Sequence, residues 1–226
     1  MSDYANNDSI DTSSKELTLE VEKQKLAYLI SKRILDIFGA IIGLVVLSIL
    51  LVLVAVLIKI EDPKGPIFFS QKRVGKNGKE FKMYKFRSMV TDAEEKLVEL
   101  LEYNEIDGAM FKMKDDPRVT RVGKFIRKTS IDELPQLFNV LKGDMSLVGP
   151  RPPLPREVAE YSNYHMQRLL VTPGCTGVWQ ASARNSVGFE EMVELDLYYI
   201  RNRSFWFDLR IIFKTITVLF GSKNAF

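Results

Sequence analysis

The chain has 226 residues, a formal net charge of +3 and one cysteine, Cys175. That length fits one compact domain with extra segments. The lone cysteine excludes an internal disulfide and points to a reducing compartment. A mean hydropathy near zero hides a division between a very apolar stretch near the N-terminus and a following part rich in Lys, Arg, Asp and Glu.

Residues 1–20 are polar, rich in Asp, Ser and Asn, and have the composition of a disordered terminus. Residues 21–36 read as an amphipathic helix: Leu26, Ile30, Ile34 and Ile37 fall at helical spacing, with Lys25, Lys32 and Arg33 placed to meet lipid headgroups. Ile37 to Ile58 is an apolar run of 22 residues without charge or Pro, in which only Gly39, Gly43 and Ser48 are small or polar interruptions. As a helix it reaches ~33 Å, about the hydrocarbon thickness of a bilayer. It is too long for a signal-peptide core and lacks a small-x-small exit. Lys32 and Arg33 precede it and Lys59 follows, so flanking charge leaves two topologies: a span, or a helix that enters and returns to the same face. Glu61-Asp62-Pro63-Lys64-Gly65-Pro66 stops the helix.

Residues 67–74 and 80–87 read as a hairpin around Lys76-Asn77-Gly78-Lys79, since Asn-Gly is the strongest short hairpin signal. Their basic residues attract anionic headgroups or phosphate-bearing substrates; nucleic acid is not expected, because no nucleic-acid-binding motif accompanies them. Residues 91–104, 118–128, 132–141, 156–170 and 189–202 read as helices, with Ser130 or Asp132 a candidate cap for the third. Residues 143–155 read as a Gly/Pro-rich loop and 172–188 as loop or short strand. Phe205–Phe220 reads as an amphipathic helix on a membrane or on the core. The fold class expected is α+β, mainly helical, with a membrane-inserted N-terminal helix, a small hairpin and interfacial helices. Its divisions are 1–20, 21–60, and a catalytic domain over 61–226.

Three segments carry candidate chemistry: Arg127-Lys128-Thr129-Ser130-Ile131-Asp132-Glu133-Leu134-Pro135-Gln136, then Lys142 to Pro152 (KGDMSLVGPRP), then Thr172 to Gln180 (TPGCTGVWQ) followed by Ala183-Arg184-Asn185. Adjacent carboxylates such as Asp132 and Glu133 can divide the work of metal binding and of nucleophile or base. For the dipeptide alone, a helix start is the plainer reading, since acids favour the positive end of the helix dipole. Arg127, Arg151 and Arg184 can hold phosphates bidentately, although a lone Arg is usually a surface charge. His165, the one histidine, lacks a sequence partner and reads as packing.

Taken together and in this order, the apolar helix, basic hairpin and three motifs resemble the bacterial sugar transferase family, the monotopic phosphoglycosyl transferases that begin capsule and exopolysaccharide assembly. The resemblance runs from about residue 30 to about 220. It implies transfer of a sugar-1-phosphate, with glucose or galactose expected first, from a UDP-sugar to undecaprenyl phosphate with release of UMP. It further implies a covalent phosphosugar on Asp132, Mg²⁺ held at Asp132 and Glu133, and phosphate contacts from Arg127, Arg151 and Arg184. Tyr198, Tyr199 and Arg201 are candidate sugar or uridine contacts. The catalytic domain is expected on the cytoplasmic face of the cell membrane, possible partners being lipid and downstream glycosyltransferases. The rival readings are hydrolysis by the same dyad and a non-catalytic membrane scaffold. One departure stands out. The family's membrane helix often carries a Ser-Pro pair that turns it back, whereas Ser48 is followed by Ile49. Without that Pro a straight helix costs less, yet the resemblance favours re-entry, with Ile37, Ser48 and Ile58 inside the membrane.

Overall fold

The computed structural model describes residues 26–100, 113, 115–182 and 188–221. The stretch expected to be disordered, 1–20, lies outside them. The elements in chain order are α1 (Leu26–Val46), α2 (Ser48–Glu61), β1 (Phe68–Val74), β2 (Glu80–Phe86), α3 (Ala93–Leu100), α4 (Arg121–Lys128), a 3-10 turn (Ile131–Glu133), α5 (Gln136–Lys142), β3 (Ser146–Val148), α6 (Pro155–Val158), α7 (Asn163–Met166), β4 (Gly174–Thr176), α8 (Val178–Ser182), α9 (Phe189–Asn202) and α10 (Phe205–Gly221).

The apolar run is not one helix. α1 and α2 meet at Leu47 with a bend of 61°, and no single helix among the described residues is long and apolar enough to cross a membrane. By length and composition the bent pair passes that test only together. No Pro is needed for the bend. Leu47 leaves helical geometry at φ −91° and ψ 5°, while its backbone still bonds to Gly43 and Leu51 at 3.0 and 2.9 Å. Gly43 and Ser48 bracket the break, and small residues of this kind tolerate sharp kinks. Packing rewards it, because each arm finishes a different core. Ala40 of α1 packs with Met83, Val140 and Met145. Val54 and Ile58 of α2 pack with Phe86 and Ile126. A straight helix could reach only one of these.

Polar contacts hold both ends of the bent pair to the same domain. Lys32 and Arg33, expected at headgroups, turn inward instead. Lys32 Nζ donates to the Val148 carbonyl at 2.9 Å and pairs with Asp208 at 3.1 Å. Arg33 donates to the carbonyls of Val140 and Leu141 at 2.7 and 2.8 Å, at the C-terminal end of α5, where the helix dipole favours a cation. Asp36 accepts from Ser146 Oγ and Leu147 N, both at 2.9 Å. At the far end Glu61 accepts from the backbone N–H groups of Arg121 and Val122, and Asp62 pairs with Arg87 at 2.8 Å. The apolar stripe Leu26, Ile30 and Ile34 stays exposed. So do Phe38, Ile41, Ile42, Val45, Val46, Ile49, Val52 and Leu53, which leaves an apolar sheath around the bend.

The hairpin forms as expected. Asn77 and Gly78 take φ of 56° and 77° in the turn, and β1 and β2 pair antiparallel from Phe68↔Phe86 to Val74↔Glu80. Asn139, fully buried in α5, docks the hairpin: its carboxamide accepts from Tyr84 N at 3.0 Å and donates to Lys82 O at 2.7 Å. The segment read as a loop, 143–155, holds β3, which pairs in parallel with β4. The main core lies beneath this pair, where Val148, Ala181, Val193, Leu197, Tyr199 and Ile211 meet. The stretch expected as one helix over 156–170 is broken into α6, α7 and a further 3-10 turn.

β3 and β4 approach so closely that the crossing tolerates no side chain. A Cβ on Gly174 would lie 2.0 Å from Gly149 N and 2.5 Å from Thr176 O. Backbone atoms cannot yield as a flexible side chain does. Gly174→Ala is therefore expected to destabilise by about 3 kcal/mol, the upper end of ordinary overpacking costs, seen as a lower melting temperature in detergent. Gly188→Ala, whose Cβ meets nothing within 4 Å, should melt like the parent. Equal melting of the two variants would contradict this account.

Candidate active site

The Arg127–Gln136 segment folds around one unusual residue. α4 ends at Lys128, and Ser130 follows in the left-handed region at φ 55°. A non-glycine residue there costs on the order of 1 kcal/mol. The reversal throws the chain into the 3-10 turn that carries Asp132 and Glu133. Neither Ser130 nor Asp132 caps α5; its N-cap is Pro135, without a side-chain bond. The acids do stand at a helix start, in the 3-10 turn that leads into α5, and Asp132 is buried there.

Asp132 and Glu133 line a cavity of about 330 Å³. Arg73, Lys85, Arg127 and Arg151 line it too, with Met83, Gln136, Cys175, Trp179 and Gln180. Four cationic side chains therefore surround two carboxylates. Glu133 pairs with Lys85 Nζ at 2.7 Å. Asp132 is buried, and burial raises its pKa to about 6 against the pull of Lys85 and Arg127, with Glu133 adding to the rise. The result is a carboxylate poorly solvated yet ionised at neutral pH. Arg151 lies with its guanidinium carbon 5.8 Å from the Trp179 ring centre. Behind it, the buried pair Arg168–Asp196, at 2.7 Å, reaches the Arg151 carbonyl through Arg168. Cys175 is a free thiol.

The structure brings together Arg127, Asp132, Glu133 and Arg151. Arg184 lies outside the described residues. Tyr198, Tyr199 and Arg201 do not line the cavity. Tyr199 is core: its hydroxyl donates to Asp208 at 2.8 Å and lies 3.1 Å from the Val148 carbonyl. Tyr198 is exposed and meets Phe207 edge-on. His165 sits among Tyr161, Tyr164 and Phe189, with Nε2 3.2 Å from Glu190, outside the cavity lining.

Arg73 and Lys85 were not singled out by sequence reasoning. The register places them. Arg73 faces Phe81 and Gln71 faces Met83 across the hairpin. Residues opposite each other share a face, and so do alternate residues along a strand. Arg73, Met83 and Lys85 therefore lie on one face, which the Asn-Gly turn fixes.

The donor set fits Mg²⁺. That ion takes one or two carboxylates, with the rest from water and substrate phosphate, and among the described residues no cluster of three His, Cys, Asp or Glu offers a fuller cage. Asp132 and Glu133 would hold it, Glu133 exchanging Lys85 for the ion.

Residues 27–222 match the bacterial sugar transferase family, and the chain belongs to it. It is 51% identical over 210 residues to the galactosyl transferase CpsE of Streptococcus agalactiae, covering 92% of this chain and 46% of that protein. It is 46% identical over 199 residues to the undecaprenyl-phosphate galactose phosphotransferase of Salmonella typhimurium, covering 86% of this chain and 41% of that one. It is 40% identical over 200 residues to the exopolysaccharide production protein ExoY of Rhizobium meliloti, covering 87% of this chain and 88% of ExoY. The chain thus spans less than half the length of the first two relatives and most of the third.

The raised Asp132 pKa has a consequence for stability. The folded-state pKa exceeds the unfolded 3.8, so folding favours the neutral acid. That contribution is complete below pH ~4 and lost as pH rises through ~6. Asp132→Asn should therefore stabilise the ligand-free protein at pH 8 by about 2–3 kcal/mol, at 1.36 kcal/mol per pKa unit, and by little at pH 4. Melting curves at the two pH values check this; no gain at pH 8 would contradict the burial assignment.

Proposed function

We propose that the protein moves a sugar-1-phosphate from a UDP-sugar to undecaprenyl phosphate and releases UMP. The observation that carries this reading is Asp132, a buried carboxylate beside Glu133 in a cavity lined by Arg73, Lys85, Arg127 and Arg151. A diphosphate brings dense negative charge, which must be neutralised before a carboxylate can approach it. The cationic wall does this. The relatives' names point to the same chemistry: galactose and glucose phosphotransfer to undecaprenyl phosphate appear among them. Galactose is the first sugar to test.

The steps follow from the groups present. A carboxylate oxygen of Asp132 attacks the β-phosphorus of the donor. The bond from that phosphorus to the bridging oxygen breaks, and the oxygen leaves with UMP. The sugar-phosphate is then held as an acyl phosphate on Asp132. A phosphate oxygen of the lipid next attacks the same phosphorus and returns the Asp132 carboxylate, giving the lipid diphosphate sugar. A covalent intermediate lets a soluble and a lipid substrate use one site in turn. Mg²⁺ at the dyad would neutralise phosphate charge. Arg127 and Lys85 hold the phosphoryl oxygens beside Asp132.

The apolar bend serves the lipid. Both of its ends are bonded to one domain, and that favours re-entry over a span; a soluble nucleotide-sugar donor favours the cytoplasmic face for the catalytic domain.

Two outcomes are expected. Asp132→Asn loses turnover, on the order of the 10⁴-fold or more typical of a lost nucleophile, and acquires no label from β-phosphate-labelled UDP-galactose, whereas the wild type does. Turnover near the wild-type rate in the variant would remove Asp132 as nucleophile. Separately, Ile10→Cys in intact cells stays unmodified by a membrane-impermeant maleimide; labelling would overturn re-entry.

A further inference from the structure

Among the described residues, Arg73 is a buried charge without an ion-pair partner. It is 6% exposed. Arg73 Nη1 donates to the Pro152 carbonyl at 3.0 Å and Nη2 to Gln71 Oε1 at 2.7 Å, while Nε has no partner. No carboxylate among the described residues lies within ion-pair distance of it. Glu157 and Glu133 act on it only through space, while burial and Arg151 weaken its hold on its proton, to a pKa of about 10. A buried guanidinium beside another cation, without a counter-ion, is costly. Perturbed ionisable groups of this kind cluster at functional sites, and an anion would supply the missing partner. Two neutral acceptors fix its plane, so the fork is already oriented when an anion arrives.

Its position narrows the anion. Arg73 faces Phe81 in the hairpin, and Lys85 lies four residues further along β2, roughly 13 Å away by backbone at ~3.3 Å per residue. Lys85 neighbours Phe86, which packs on α2, the returning arm of the apolar pair. Arg73 is toward the opposite end, near the turn, against Pro152 and in the same cavity lining as Arg151 and Trp179. The Trp179 indole nitrogen is also buried without a partner. A flat aromatic with a spare donor beside paired cations suits a nucleotide better than an isoprenoid chain.

We propose that Arg73 and Arg151 form a second phosphate subsite, distinct from the Lys85–Arg127 end, that takes the α-phosphate of the nucleotide donor and retains it as the leaving UMP. This rests on the donor class proposed above. Stabilising the bridging oxygen as it departs is the chemistry the pair supplies. The lipid phosphate then enters from the end adjoining α2 after UMP has left.

The test measures binding and kinetics on the full chain in detergent. Equilibrium dialysis with radiolabelled UMP is run on the wild type, Arg73→Gln and Arg73→Lys, alongside KM for UDP-galactose and for undecaprenyl phosphate. Loss of a charge-assisted contact predicts UMP binding and donor KM weakened together by roughly 10- to 100-fold in Arg73→Gln. Arg73→Lys, which keeps charge but not the fork, should fall between. The KM for lipid phosphate should not move. Unchanged UMP binding overturns the proposal. So does a rise in the lipid-phosphate KM alone, which would assign the pair to the acceptor. If the buried substitutions unfold the chain, Gln71→Ala, at a half-exposed position, frees the guanidinium without removing it and should weaken UMP binding in the same direction; unchanged binding there overturns the proposal. UMP binding is read without turnover. A wild type that binds UMP through Arg73 but transfers no sugar therefore refutes the transferase reading and leaves the subsite standing.

Discussion

The polar grip on α1 is the constraint on which the rest of the structure depends. Lys32, Arg33 and Asp36 lie on the one face of an otherwise apolar helix that meets protein. Between them they satisfy backbone groups on two elements: the carbonyl of Val148 and the N–H of Leu147 in β3, and the last carbonyls of α5. The grip joins α5, which carries Asn139, to β3, whose partner β4 forms one wall of the cavity. Asn139 in turn holds β2 and so sets Lys85 against Glu133. Through these links the apolar helix orients both walls of the site. Loosening it would be expected to move the cavity's cations relative to its carboxylates, at a distance from either.

The bend at Leu47 follows from the same grip. With α1 held at Asp36 and α2 held at Glu61 and Asp62, a straight continuation would carry one end off the domain. Breaking the helix at one residue costs little, because the flanking i→i−4 bonds survive. It gains two cores, one around Ala40 and one around Val54 and Ile58. A Pro would impose such a bend locally. Here tertiary contacts impose it, with Gly43 and Ser48 permitting it.

What could be read from sequence alone divides along the range of the forces involved. The hairpin follows from Asn77-Gly78, and α9 from its apolar spacing, because both are local. The three cavity motifs stood out as segments because their residue types are dense in charge and turn formers. The parallel pairing of β3 with β4 was not legible: three-residue strands are too short to carry periodicity, and the pairing is long-range. Tyr199 was taken for a ligand contact, although its spacing with Met192, Val193, Asp196 and Ile200 puts it on the buried stripe of α9. Arg73 was lost among the other basic residues of the hairpin. The turn register was the available clue, since it sets Arg73 on the face of Met83 and Lys85.

The charge balance in the cavity also resolves an apparent conflict. A carboxylate nucleophile gains from poor solvation, which leaves its oxygens unencumbered, but burial protonates it. At Asp132 the two demands meet: burial pushes the pKa up to about 6, and Lys85 with Arg127 keeps it from rising further. At neutral pH the group is ionised and still hidden from water. The cations that achieve this are the same ones a diphosphate would engage. On the reading proposed above, the donor's phosphates share Lys85 and Arg127 with Asp132, and both cations must stay close to the carboxylate to keep it ionised.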